Sequence, residues 1–149
     1  MLRLCYRHRV SAAGLLAASV AFAIGTYAQP ASAQGAQPQA SDANVTPLLA
    51  KPLVGIEGKE VSMSVVEYAP GGASPPHRHN ANVFVYVLEG SVVMQVEGGE
   101  EVTLTAGQTF YETPSDIHAV SRNASETEPA KILAFLVKDE GAPATIPAE

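Results

Sequence analysis

The sequence predicts an all-β domain, a sandwich or barrel of seven or eight short strands. Three observations predict it. Apolar residues alternate or run on over windows of only four to eight positions, Gly and Pro interrupt them every eight to fifteen residues, and no window carries a long helical period with caps. Residues 61–68 open the series, with Val61, Met63 and Val65 on alternate positions. Residues 83–88 (VFVYVL) form a continuous β-branched and aromatic run. That run is too short for a globular helix and suits a strand buried on both faces. Glu89-Gly90 makes a tight turn into residues 91–97, and Gly98-Gly99 is a second hairpin signal ahead of 102–105. Gly107 opens a strand through Phe110 and Tyr111, and residues 117–121 and 132–137 supply the last two.

The domain organisation follows from what flanks these strands. Arg3, Arg7 and Arg9 precede an apolar run from Val10 to about Ile24, and two small-residue cleavage patterns follow, ending at Ala28 and Ala33. Residues 1–33 therefore read as an export signal, cleaved after Ala28 or Ala33. The run falls short of the ~20 apolar residues that a membrane span needs, which disfavours a retained anchor. Residues 34–50, rich in Ala, Gln, Ser, Asn and Pro, read as a flexible leader. Residues 51–140 hold the barrel. The tail, 141–149, is expected to be loose or to cover a sheet edge.

Charge and cysteine usage exclude several function classes. Three of the nine basic residues lie before residue 10, while all fifteen acids lie beyond residue 41, so the mature chain carries −9 at pH 7. Six scattered cations give no footprint for a phosphate backbone or an anionic membrane. Neither nucleic acid nor, after signal cleavage, a membrane is an expected partner. The single cysteine, Cys5, leaves with the signal, so a periplasmic or secreted mature protein has no disulfide and no thiolate ligand or nucleophile.

Once His8 leaves with the signal, the histidines are His77, His79 and His118. His77 and His79 stand two apart, so on an extended backbone they project from one face. Pro75-Pro76 just before them fixes an extended entry. A third imidazole from a strand some forty residues later would complete a facial three-nitrogen site for a divalent transition metal, with other positions open to water or substrate.

Gly71, His77, His79 and Gly90 hold the spacing of one motif, and Gly107 and His118 that of a second. Together they resemble the two motifs of the cupins, small jelly-roll barrels. The resemblance covers about residues 55–138. It implies a single-domain double-stranded β-helix, a homodimer, and metal ligation by His77, His79 and His118. The chain departs from the pattern at Val83, where the family's first motif usually carries a glutamate ligand. The second motif's proline, glycine and asparagine become Thr113, Ser115 and Arg122, with Pro114 and Asn123 one residue away.

Without that carboxylate, a three-histidine site leaves the cation's charge uncompensated unless a nearby acid serves. Glu112 is the best candidate, and also the one candidate general acid or base. Gln95, Tyr86, Tyr111 and Arg78 are candidates to line or rim the cavity. The metal is expected to be Fe, Mn, Zn, Ni or Cu, and the partner a small-molecule ligand. Two function classes stand beside each other. One is a metal-dependent oxygenase, isomerase or lyase whose substrate chelates the metal. The other is a barrel that holds a metal or ligand without turnover, or whose metal only pins strands. No phosphate-binding glycine loop and no free Ser/His/Asp set occurs.

Overall fold

The computed structural model of the protein describes residues 42–148. The expected signal, its cleavage points and residues 34–41 of the expected leader lie outside them. Within the described residues the chain runs β1 (Ala43–Pro52), β2 (Lys59–Tyr68), β3 (Ala73–Ser74), β4 (His77–Arg78), β5 (Ala81–Glu89) and β6 (Ser91–Val96). It continues through β7 (Val102–Thr105), β8 (Thr109–Glu112), β9 (Ile117–Asn123), β10 (Ala130–Asp139) and β11 (Ile146–Pro147). One sheet has the order β1-β2-β10-β5-β8; the other has β11-β4-β9-β6-β7, with β3 on β9. Non-consecutive neighbours such as β10 between β2 and β5 give the jelly-roll winding that the resemblance implies, and the fold is all-β.

Alternation decides which side chains meet inside. Val83, Val85 and Val87 of β5 point inward and are essentially buried, as are Ile132 and Leu136 of β10 and Val92 and Met94 of β6. These join Tyr68, Ala81 and Ala130 in one core cluster contributed by both sheets. Each large side chain buried this way stabilises the barrel by about 1.5–3 kcal/mol relative to exposure. Gly90 lets β5 turn into β6. Its φ is +70°, and a Cβ there would lie 2.5 Å from the Pro129 carbonyl oxygen, so only glycine fits.

Two expectations need correction. Residues 43–50, read as flexible leader, form most of β1 and pair with β2 from Ala43↔Tyr68 to Pro52↔Glu60. An edge strand that is exposed along almost its whole length carries no burial period, and a register shift between Pro47 and Leu49 breaks what alternation there is. The 83–88 strand is not buried on both faces: Phe84 and Tyr86 remain 48% and 45% exposed. The tail takes the second of its two expected forms and covers a sheet edge, where Ile146 and Pro147 pair with Arg78 and His77 of β4.

Candidate metal centre

The site grows from one cross-strand register. β4 pairs with β9 so that His77 lies opposite His118. His79, two residues after His77, returns to the same face, with ring centroids 4.8 Å apart. His77 and His118 are 5.0 Å apart by the same measure. One ligand nitrogen from each of the three rings lies within 4.8 Å of the others. The three expected ligands therefore converge in the barrel interior.

The hydrogen bonds suit metal ligation. His77 Nδ1 lies 2.8 Å from the Pro75 carbonyl oxygen and His79 Nδ1 lies 2.5 Å from that of Ala144. A ring that donates Nδ1–H to a carbonyl keeps its lone pair on Nε2, the arrangement that orients ligating histidines. His118 stacks on Phe110 at 5.8 Å and 26°. Its Nδ1 faces Glu112 Oε1 at 3.1 Å, while its buried Nε2 has no hydrogen-bond partner. Burial pushes the His77 pKa below the ordinary 6.5, only partly opposed by its bond to Pro75. That shift favours the neutral ring that ligation requires.

Glu112 is 1% exposed and points into this cluster, with Oε2 3.9 Å from His79 Nε2. Neither of its oxygens completes a hydrogen bond; the 3.1 Å approach to His118 is an ion-pair distance without hydrogen-bond alignment. A buried carboxyl left so is costly. β8 pairs with β5 in the register Val83↔Glu112, both residues facing inward. The acid thus sits directly across from the position where the cupin pattern has its glutamate. Three imidazoles, one of them with an orphaned ring nitrogen, and an orphaned carboxyl form a donor set that fits a divalent transition metal.

A cavity of about 300 Å³ adjoins the cluster, walled by Val66, Val85, Ile132, Ala134 and Leu136 among others. The other expected rim residues lie elsewhere. Tyr86 and Tyr111 stand on the outer face of the first sheet, and Gln95 donates to the Gly99 carbonyl in the β6–β7 turn. Arg78 alternates away from its histidine neighbours, and none of the four lines the cavity. Alternation explains this: Tyr86 and Arg78 are one residue out of phase with the inward positions.

Two features gave no sequence signal. The Ala144 carbonyl reaches His79 across 65 residues, and backbone acceptors have no side-chain identity to read. Tyr68, Ser74 and Ser121 form a hydroxyl cluster on the cavity wall, with Tyr68 Oη 2.7 Å from Ser121 Oγ and 3.3 Å from Ser74 Oγ. Deleting residues 143–149 is expected to weaken metal binding about 10–100-fold, the usual cost of losing a partner that orients a ligand. Competition with a chromophoric chelator would measure it; unchanged affinity would show that the tail does not orient His79.

The comparisons agree with this architecture. Residues 64–136 match the family model for the cupin domain. The chain is similar to germin-like protein 5-1 of Oryza sativa subsp. japonica, 35% identical over 88 residues, covering 56% of this chain and 39% of that protein. It is also similar to the rhicadhesin receptor of Pisum sativum, 32% identical over 106 residues, covering 68% and 48%. It thus spans less than half the length of these relatives. Among solved structures it resembles a recombinant oxalate oxidase in complex with glycolate (25% identity, TM-score 0.57, 76% of this chain and 58% of that one). It shares its fold with a cupin 2 domain-containing protein from Halorhodospira halophila (22% identity, TM-score 0.58, covering 78% and 76%). Matching motif glycines, inward histidines and a family model that spans the strands between them place the chain in the cupin superfamily.

Proposed function

We propose that the protein is an exported, metal-dependent small-molecule enzyme of the oxygenase, isomerase or lyase type. His77, His79 and His118 hold a divalent transition metal, and Glu112 compensates its charge. One observation carries the reading: the histidine cluster opens on a cavity of about 300 Å³. A metal that only pins strands would sit in a closed, fully protein-ligated site, whereas a catalytic site keeps a position open to substrate. When bound, the metal supplies Lewis-acid polarisation of a chelated oxygen. The chain's own part is to fix the rings by the Pro75 and Ala144 carbonyls and to exclude water with the apolar wall. The likeness to an oxalate oxidase structure bound to glycolate supports small-molecule chemistry at this place. The basic–apolar–small order of residues 1–33 supports export. Among the described residues no helix is long and apolar enough to cross a membrane.

Cobalt titration tests the reading. Apo protein is expected to take up one Co²⁺ per chain with visible d–d absorption. Uptake should hold steady from pH 8 to about 6.5 and weaken below it, as protons compete for the rings. The lowered pKa of His77 acts on the apo fold. The unfolded chain protonates this histidine more readily, so its contribution to stability is present above pH 6.5 and lost as pH falls toward the folded value. Equal cobalt affinity at pH 8 and pH 5 would contradict imidazole ligation.

The outer face of the first sheet supports a homodimer. Phe84, Tyr86, Leu88 and Tyr111 are exposed there, beside the half-buried Leu133 and Phe135. An antiparallel sheet that faces water alternates apolar-in with polar-out, and a contiguous apolar outer face marks an interface. A second copy is the expected cover. Sedimentation at micromolar concentration should give a dimer, and Phe84→Lys should shift it to monomer. A wild-type monomer would refute the proposal.

A further inference from the structure

The cavity specifies more than a small volume. Apart from the three histidines and Glu112, its polar lining consists of hydroxyls alone: Ser64, Tyr68, Ser74, Ser121 and Thr145. No Lys or Arg lines it. Arg78, though flanked by His77 and His79, is not part of the lining; Lys138 is buried against Glu60 and the Ala142 carbonyl, and Lys131 pairs with Glu67 and Glu89 on the outer face. Arg122 is engaged by Glu101 at 3.1 Å. Two of these hydroxyls are also engaged, since Tyr68 bonds Ser121 and Ser121 donates to Met94 Sδ. Nothing in the wall can neutralise a second negative charge.

We propose that this cavity takes a monoanionic chelating ligand of up to about ten non-hydrogen atoms in all, most of them an apolar body, and discriminates against small dicarboxylates; this rests on the metal-site reading above. The size follows from 300 Å³ at the roughly 30 Å³ that a water-sized atom occupies in a liquid. The charge follows from the residues. A divalent ion with three neutral imidazoles and one carboxylate carries a net single positive charge, which a monoanion cancels. A dianion would leave one uncompensated negative charge in an apolar chamber, where burial of charge is disfavoured. The apolar body follows from Val66, Val83, Val85, Ile132, Ala134 and Leu136 on the walls. Each methylene added to a ligand that fills such a wall tightens binding roughly fourfold.

Alkanehydroxamates of two to eight carbons chelate as monoanions and serve as the probe series, with oxalate as the dianionic comparison. Cobalt-loaded full-length protein is titrated with each, following the d–d spectrum, and metal retention is checked after gel filtration. Affinity is expected to rise on the order of 100-fold from two to six carbons and then to level off, with oxalate among the weakest. Ala134→Leu should bring the plateau to a shorter chain; Val85→Ile gives the same reading if that variant does not fold. A flat series, oxalate binding as tightly as the six-carbon probe, or a plateau unmoved by the wall substitutions would overturn the proposal while leaving the metal site intact. Failure of the protein to give cobalt absorption at all would overturn the metal reading and this proposal with it.

Discussion

His79→Ala is expected to leave the protein folded and nearly free of metal. The variant removes one of three ligand nitrogens that lie within 4.8 Å of one another. Losing a residue that merely orients a ligand costs about 10–100-fold in affinity, so losing a ligand should cost more than 100-fold. At micromolar protein and metal, content measured by atomic spectrometry should fall from one ion per chain to a small fraction. The fold should persist because His79 lies outside the core cluster, which draws on Val83, Val85, Val87, Val92, Met94, Ile132 and Leu136. The side chain's hydrogen bond to the Ala144 carbonyl contributes about 1 kcal/mol. Far-ultraviolet circular dichroism should therefore keep its β character. Wild-type metal content in the variant would show three ordinary histidines that happen to meet.

Those three histidines were legible because their signal is one of spacing and side-chain chemistry. The i, i+2 pair needs only an extended backbone, and the Pro75-Pro76 entry supplies it. The inner strands were legible for the same reason: burial of Val83, Val85 and Val87 imposes a period that the sequence displays. β1 was not, since its residues contribute backbone pairing on an exposed edge, where side chains are nearly free to vary. Phe84 and Tyr86 misled in the other direction, because an apolar outer face has the same composition whether its own second sheet or another chain covers it. The grip of Ala144 on His79 depends on a carbonyl, which every residue has. Glu112 was legible as an acid near His118. Its place opposite Val83 was not, because strand register joins positions 29 residues apart only once the sheet is formed.

That register makes the second large effect a matter of where one carboxyl stands. Glu112 is buried beside two of the histidines with both oxygens lacking hydrogen bonds, so the apo protein carries an unsatisfied acceptor that costs about 1–3 kcal/mol. Glu112→Val should remove that cost, leaving apo stability equal or higher in denaturant titration, and should weaken metal binding at least tenfold by removing the compensating charge. Val83 faces the same interior from the partner position, and directly opposed residues on antiparallel strands have Cβ atoms about 4.5–5.5 Å apart. A glutamate side chain spans that distance. The double variant Val83→Glu/Glu112→Val keeps the composition of the pair and moves the carboxyl to the place the cupin pattern gives it. Its metal affinity should return to within about threefold of wild type, while Val83→Glu alone puts two carboxyls side by side and should lower apo stability by more than 1 kcal/mol. If the double variant binds metal no better than Glu112→Val, the two positions are not interchangeable around the histidines. Metal affinity unchanged in Glu112→Val would remove the acid from the site altogether. Recovery in the double variant would mean that the carboxyl's position across one strand pair, rather than its place in the sequence motif, is what the metal site reads.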